Sequence, residues 1–182
     1  MPVLIAFGSI EGQTGKIAAF VKKIAEDAGE TVELFDTSVL KSDVSVEEFD
    51  KVILAGSVHE RRHPKEFELF VASNQKELEN RRTLLISVSL NAAFPERYEE
   101  AQDYADELKM RTDIDPDGEI LVAGAIRAHS YDYFATQVLR HVVLQGRNYD
   151  PSVQEHEFTD WDALEGDIRS FLKGENPGQD RR

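Results

Sequence analysis

Short, continuous apolar runs alternate along this chain with longer stretches whose apolar residues recur every three or four positions. The first run, residues 3–7, is too short for a buried helix and rich in β-formers, which predicts a strand buried on both faces. Over residues 14–28, Ile17, Val21, Ile24, Ala25 and Ala28 share one helical face, with Lys16, Lys22, Lys23 and Glu26 opposite, and Gly29 ends the helix. The same rhythm predicts strands over residues 31–35, 51–57, 83–89 and 120–126. One helix opens at Pro64 with Phe67, Phe70 and Val71 inward, and another opens at Pro95 with Tyr98, Ala101, Ala105 and Leu108 inward. Residues 91–94 read as a loop and 113–118 as a turn. Beyond strand five, Tyr131, Phe134, Ala135, Val138, Leu139, Val142 and Val143 predict an additional amphipathic helix that ends at Gly146. A polar, extended segment runs on to residue 157, and Thr159 then caps a last helix with Trp161, Leu164, Ile168, Phe171 and Leu172 inward. Residues 1–174 read as one domain and 175–182 as a disordered tail.

Strands that alternate with amphipathic helices over short connections build βαβ units. The predicted fold class is therefore α/β: a doubly wound, five-stranded parallel sheet in the order 2-1-3-4-5, with an extra helix inserted after strand five. In that order a ligand crevice lies beyond the carboxyl ends of strands one, three and four. Those ends are residues 8–14, 57–63 and 89–94. In the first stretch, Gly8 and Gly12 let backbone N–H groups turn toward one point, while Ser9 and Thr14 place hydroxyls beside the positive end of the next helix. A phosphate there would be held by Ser9, Ile10, Glu11, Gly12, Gln13 and Thr14, without any lysine. The plainer reading is a strand-to-helix turn with Thr14 as its cap. Two familiar phosphate loops do not match, since Walker A needs glycine at Ile10 and Ser or Thr at Ile17, and a dinucleotide fingerprint needs glycine at Ile10.

Composition narrows the chemistry. With no cysteine, disulfides, thiol nucleophiles and thiolate metal sites are excluded, so redox chemistry must come from a bound cofactor. A net charge of −14 opposes binding to nucleic acid or to an anionic membrane. Neither a long apolar span nor a charged-then-apolar leader is present, and a cytoplasmic location is expected, at most peripheral to the inner face of a membrane.

The stretches FGSIEGQTGKIA (residues 7–18), AGSV (55–58), GAIR (124–127) and FTDW (158–161) together resemble the flavodoxin-like, quinone-dependent protoporphyrinogen IX dehydrogenase family of bacteria. The resemblance covers almost the whole chain, including the inserted segment. It implies an enzyme of haem biosynthesis that uses FMN to remove hydrogen from a porphyrinogen and passes electrons to a quinone. Flavodoxins hold the FMN phosphate with a hydroxyl-rich loop of the kind seen at residues 8–14. The other two stretches would then flank the flavin ring, through Ser57, Val58 and His59 on one side and Ser89, Leu90, Asn91 and Ala92 on the other. No Trp or Tyr occurs in either stretch, which leaves a ring face open to a substrate.

Flavin N5 accepts a hydride without a protein nucleophile, so the missing triads and metal motifs fit. Two residues are candidates for direct participation. Arg127 could pair with a substrate carboxylate or bridge to a surface acid, and His59, like His63, could relay a proton or be ordinary polar surface. Arg61 and Arg62 are solvated charges or site residues. The inserted helix could pack on the sheet edge, cover the flavin, or make a dimer or transient membrane contact. A flavodoxin-type electron carrier, an NAD(P)H:quinone reductase and a regulatory protein without flavin are the alternatives on the same scaffold.

Overall fold

The computed structural model describes residues 2–39, 44–127 and 155–178. Five strands form one parallel sheet: β1 (Pro2–Gly8), β2 (Thr31–Asp36), β3 (Lys51–Ser57), β4 (Arg82–Ser89) and β5 (Gly118–Ala123), ordered β2-β1-β3-β4-β5. Val3 stands opposite Lys51, and Leu84 opposite Gly118. Because β1, β3 and β4 are central, their side chains are covered from both faces, and that is why they read as unbroken apolar runs.

Helices α1 (Gln13–Asp27) and α5 (Trp161–Leu172) cover one face. Ile17, Val21, Ile168 and Phe171 pack there against Ile5, Ile53 and Ile86. The other face carries α2 (Lys65–Ser73), the single turn α3 (Gln75–Leu78) and α4 (Tyr98–Thr112). Phe67 and Leu108 pack there on Leu4, Leu54 and Leu85. Phe67 sits across the ends of β1 and β3, and only glycine fits beneath it. A Cβ on Gly8 would stand 2.7 Å from Phe67 Cβ, and one on Gly56 would stand 2.6 Å from Phe67 Cε1.

The fifth apolar run is not one strand. β5 stops at Ala123, because its neighbour β4 stops at Ser89 and leaves nothing to pair with; the Gly124 N–H then donates to the Ser89 carbonyl at 3.1 Å. Ala125–Arg127 forms β6 instead, antiparallel to β7 (Glu155–Glu157). Ile126 is apolar because it is buried with Phe94 and Phe158, outside the sheet. Nor does Thr159 cap the last helix. Asp160 does, its Oδ1 accepting the Ala163 N–H at 3.0 Å. The additional helix expected over residues 131–146 lies outside the described residues. Of the expected tail, residues 175–178 lie along β5, where the Glu119 N–H donates to the Pro177 carbonyl at 3.3 Å and Arg82 reaches Asn176 Oδ1 at 2.9 Å.

Candidate functional site

The cleft is built at the carboxyl ends of β1, β3 and β4, where the winding of the sheet reverses. After Gly8 the chain turns through residues 9–12, and Gly12 precedes α1 in the left-handed region at φ 90°. A side chain at Gly12 would strain that turn. Ser9 Oγ accepts the Gly12 N–H at 2.9 Å and braces the loop from within. Thr14 is fully buried in the first turn of α1, and its Oγ1 has no hydrogen-bond partner among the described residues. The Thr14 and Gly15 amides, at the start of the helix, have no acceptor within it. Ser57 Oγ, at the end of β3, is likewise buried and unpartnered among the described residues.

One cavity brings Ser9, Ile10, Glu11, Gln13, Thr14, Ser57, Val58, His59, Ser89 and Leu90 together, along with Val88, Gly124 and Ala125. Gly12, Asn91 and Ala92 do not line it. The Asn91 amide donates to Glu100 Oε2 and the Tyr104 hydroxyl, both at 2.9 Å, and the Ala92 N–H donates to Ser89 Oγ at 3.3 Å. Gly124 and Ala125 were missed because their apolar run reads as continuous strand, although a glycine inside such a run is a signal of a break.

The second loop is a tight hairpin. His59 and Arg62 bridge across Glu60 and Arg61, both at positive φ, 48° and 67°. Within the fold, the Val58 N–H donates to the Val88 carbonyl at 2.7 Å and the His59 N–H to the Arg62 carbonyl at 2.9 Å. Arg61 and Arg62 anchor this hairpin. Arg61 pairs with Glu100 at 2.7 Å and lies over the Tyr104 ring, while Arg62 pairs with Glu68 at 2.8 Å. The Glu11 carboxylate faces this hairpin, its Oε1 3.7 Å from His59 Nδ1 across the cavity mouth.

His63 is not surface. It is buried between α2 and β4, with Nε2 3.0 Å from Ser87 Oγ, and burial pulls its pKa down to about 4. It is therefore neutral near pH 7 and does not relay protons there. Arg127 belongs to β6, where its backbone stands opposite that of Glu155 in β7. Sequence reasoning also missed Glu157 and Thr159. Gln13 Nε2 donates to Glu157 Oε1 at 2.9 Å and to Thr159 Oγ1 at 3.0 Å, and Thr159 in turn donates to the Ala123 carbonyl at 2.6 Å.

A doubly wound sheet whose switch point carries a glycine loop, with unpartnered buried hydroxyls on the adjoining helix and strand, defines a mononucleotide-binding protein of the flavodoxin class. The chain belongs to the flavodoxin domain family, whose sequence model matches residues 4–152. Membership makes FMN the cofactor, and in the cleft Thr14 Oγ1 and Ser57 Oγ, buried and without partners among the described residues, fit it as donors. Among curated proteins, the chain is similar to protoporphyrinogen IX dehydrogenase [quinone] of Escherichia coli K12, 24% identical over 165 residues that span 90% of this chain and 91% of the relative. Among solved structures, it resembles oxidised Flavodoxin 1 from Bacillus cereus, with TM-score 0.58, 14% identity and coverage of 96% of this chain and 99% of that one. A short-chain flavodoxin associated with a PDU bacterial microcompartment is similar at TM-score 0.58, 10% identity and coverage of 95% and 97%. These two likenesses show the fold.

Proposed function

We propose that this chain is an FMN-dependent oxidoreductase that takes hydrogen from a porphyrinogen and passes electrons to a quinone. The observation that carries the reading is the similarity to the Escherichia coli dehydrogenase over nine tenths of both chains, joined to two unpartnered buried hydroxyls in one cleft. Thr14 and the first-turn amides of α1 hold the phosphate, and Ser57 and the turn at Ser89–Leu90 flank the ring. Bound FMN supplies a two-electron acceptor, while the protein binds, orients and excludes water. Among the described residues lining the cavity none is Tyr or Trp, so one ring face stays open to a flat, reduced tetrapyrrole. Arg127 pairs with a carboxylate of that substrate, and His59, at the cavity mouth, exchanges protons with solvent.

The net charge of −14 favours a second reading, an electron carrier that docks to a basic redox partner. Anaerobic addition of protoporphyrinogen IX to the FMN-loaded protein separates the two. Flavin bleaching with porphyrin fluorescence, faster than with free FMN, supports the enzyme. A flavin that stays oxidised removes it, and bleaching by NAD(P)H alone would point instead to a quinone reductase.

A further inference from the structure

Gln13 and Lys16 project from the first turns of α1, beside the phosphate loop, and both end on one carboxylate, 144 and 141 residues away in sequence. Glu157 Oε1 accepts from Gln13 Nε2 at 2.9 Å and from Lys16 Nζ at 2.5 Å, while Oε2 accepts from Trp161 Nε1 at 3.1 Å. The Trp161 ring meets Phe20 of α1 edge-on at 4.8 Å, with Lys16 Nζ 5.5 Å from the Trp161 ring centre. Thr159 holds the same Gln13 amide at 3.0 Å and ties it to the end of β5 through the Ala123 carbonyl. The start of α1 is thus clamped by Glu157 and Thr159, which do not themselves line the cavity.

Resting on the flavodoxin-type phosphate site described above, we infer that Glu157 is a positioning residue: by gripping Gln13 and Lys16 it fixes the first turn of α1, so that Thr14 and its neighbouring amides are set for the phosphate of FMN before the ligand arrives. Three physical facts support this. Gln13 and Thr14 are adjacent and both buried, so a shift of one moves the other. Hydrogen bonds to an ionised acceptor are about twice as strong as neutral ones, which makes Glu157 the firmest hold on this turn. A site that is already ordered binds more tightly because less freedom is lost on binding. Burial favours the protonated carboxyl of Glu157, but its hydrogen bonds from Lys16, Gln13 and Trp161 outweigh that and hold its pKa at about 2, so the clamp is charged throughout the working pH range. The same carboxylate neutralises Lys16, so a loop that binds phosphate without a lysine also keeps its nearby lysine turned away.

The test compares FMN with riboflavin, which has the same ring and no phosphate. Replacing Glu157 alone would also release the charge of Lys16, so the informative protein is Lys16→Met/Glu157→Gln, which removes one charge of each sign. Equilibrium fluorescence titrations with both ligands give the ratio of affinities. For the double variant the expected result is a loss of about tenfold in FMN affinity, the size of one lost hydrogen bond to an ionised group, with riboflavin affinity unchanged. Thr159→Val, which removes the second acceptor of Gln13 together with the tie to the Ala123 carbonyl and leaves both charges in place, should move the ratio in the same direction, and it answers the question if the double variant does not fold. Equal weakening toward both ligands, or an unchanged ratio, overturns the role of Glu157 while leaving the flavin site intact. If the wild-type protein binds neither ligand, the flavin site itself falls, and the role of Glu157 with it.

Discussion

Acid should weaken this protein through His63 in a way that a single substitution removes. The ring is 2% exposed, lies 6.1 Å from that of Phe67, and bonds Ser87 Oγ through Nε2, while Nδ1 has no partner among the described residues. Burial is the largest cause of its lowered pKa of about 4; Glu68 nearby favours the proton and Arg111 opposes it. An unfolded histidine titrates near 6.5. As pH falls through that value the unfolded chain takes up a proton that the folded chain refuses until about pH 4, so stability that is intact above pH 6.5 is lost in that window. The full loss is about 3.4 kcal/mol, of which about 2 kcal/mol is reached at pH 5 relative to pH 7. His63→Gln keeps a donor for Ser87 and cannot titrate. Urea unfolding at pH 7 and pH 5 should therefore show a drop smaller by about 2 kcal/mol in the variant than in the wild type, all other groups being common to both. An equal drop in the two proteins would refute the buried neutral state of His63.

Two further substitutions test the packing. Gly56→Ala forces a Cβ to within 2.6 Å of Phe67 and 2.8 Å of His63 Cδ2, and should lower the unfolding free energy by about 1–3 kcal/mol in a denaturant titration. Lys51 lies 2.6 Å from Glu30 and 3.1 Å from the Leu172 carbonyl, with the Lys51 side chain 7% and the Glu30 side chain 12% exposed. Lys51→Met should cost about 1–3 kcal/mol by urea unfolding, and Lys51→Met/Glu30→Leu should recover part of that loss, since the penalty is the loss of one cation from a buried carboxylate that keeps its other charged partner.

The sheet was legible because β1, β3 and β4 are covered on both faces, so their apolar runs admit little but a buried strand. The loop after β1 was legible as a candidate site because Gly8, Ser9, Gly12 and Thr14 lie within one short stretch of chain. What escaped depends on partners distant in sequence. Ile126 is apolar for the sake of Phe94 and Phe158, which made β5 read too long. Thr159 looks like a cap because it precedes an amphipathic stretch, yet Asp160 beside it serves as the cap and leaves Thr159 free to bridge Ala123 and Gln13. His63 reads as loop polarity because nothing local reveals that Gly56 makes room for its ring. The pairing of Gln13 with Glu157 spans 144 positions, beyond any periodicity.

Thr14→Val probes the phosphate site most directly, because the two states of the protein should respond in opposite ways. The Thr14 hydroxyl is buried with no partner among the described residues, so without ligand the variant should be as stable as the wild type or more stable, by up to about 1 kcal/mol. With FMN present the same change removes a donor to an anion, and the dissociation constant should rise about tenfold or more. Isothermal titration with FMN, alongside urea unfolding of the ligand-free proteins, measures both. Undiminished FMN binding by Thr14→Val, or no binding by the wild type, would contradict the phosphate site on which the functional reading stands.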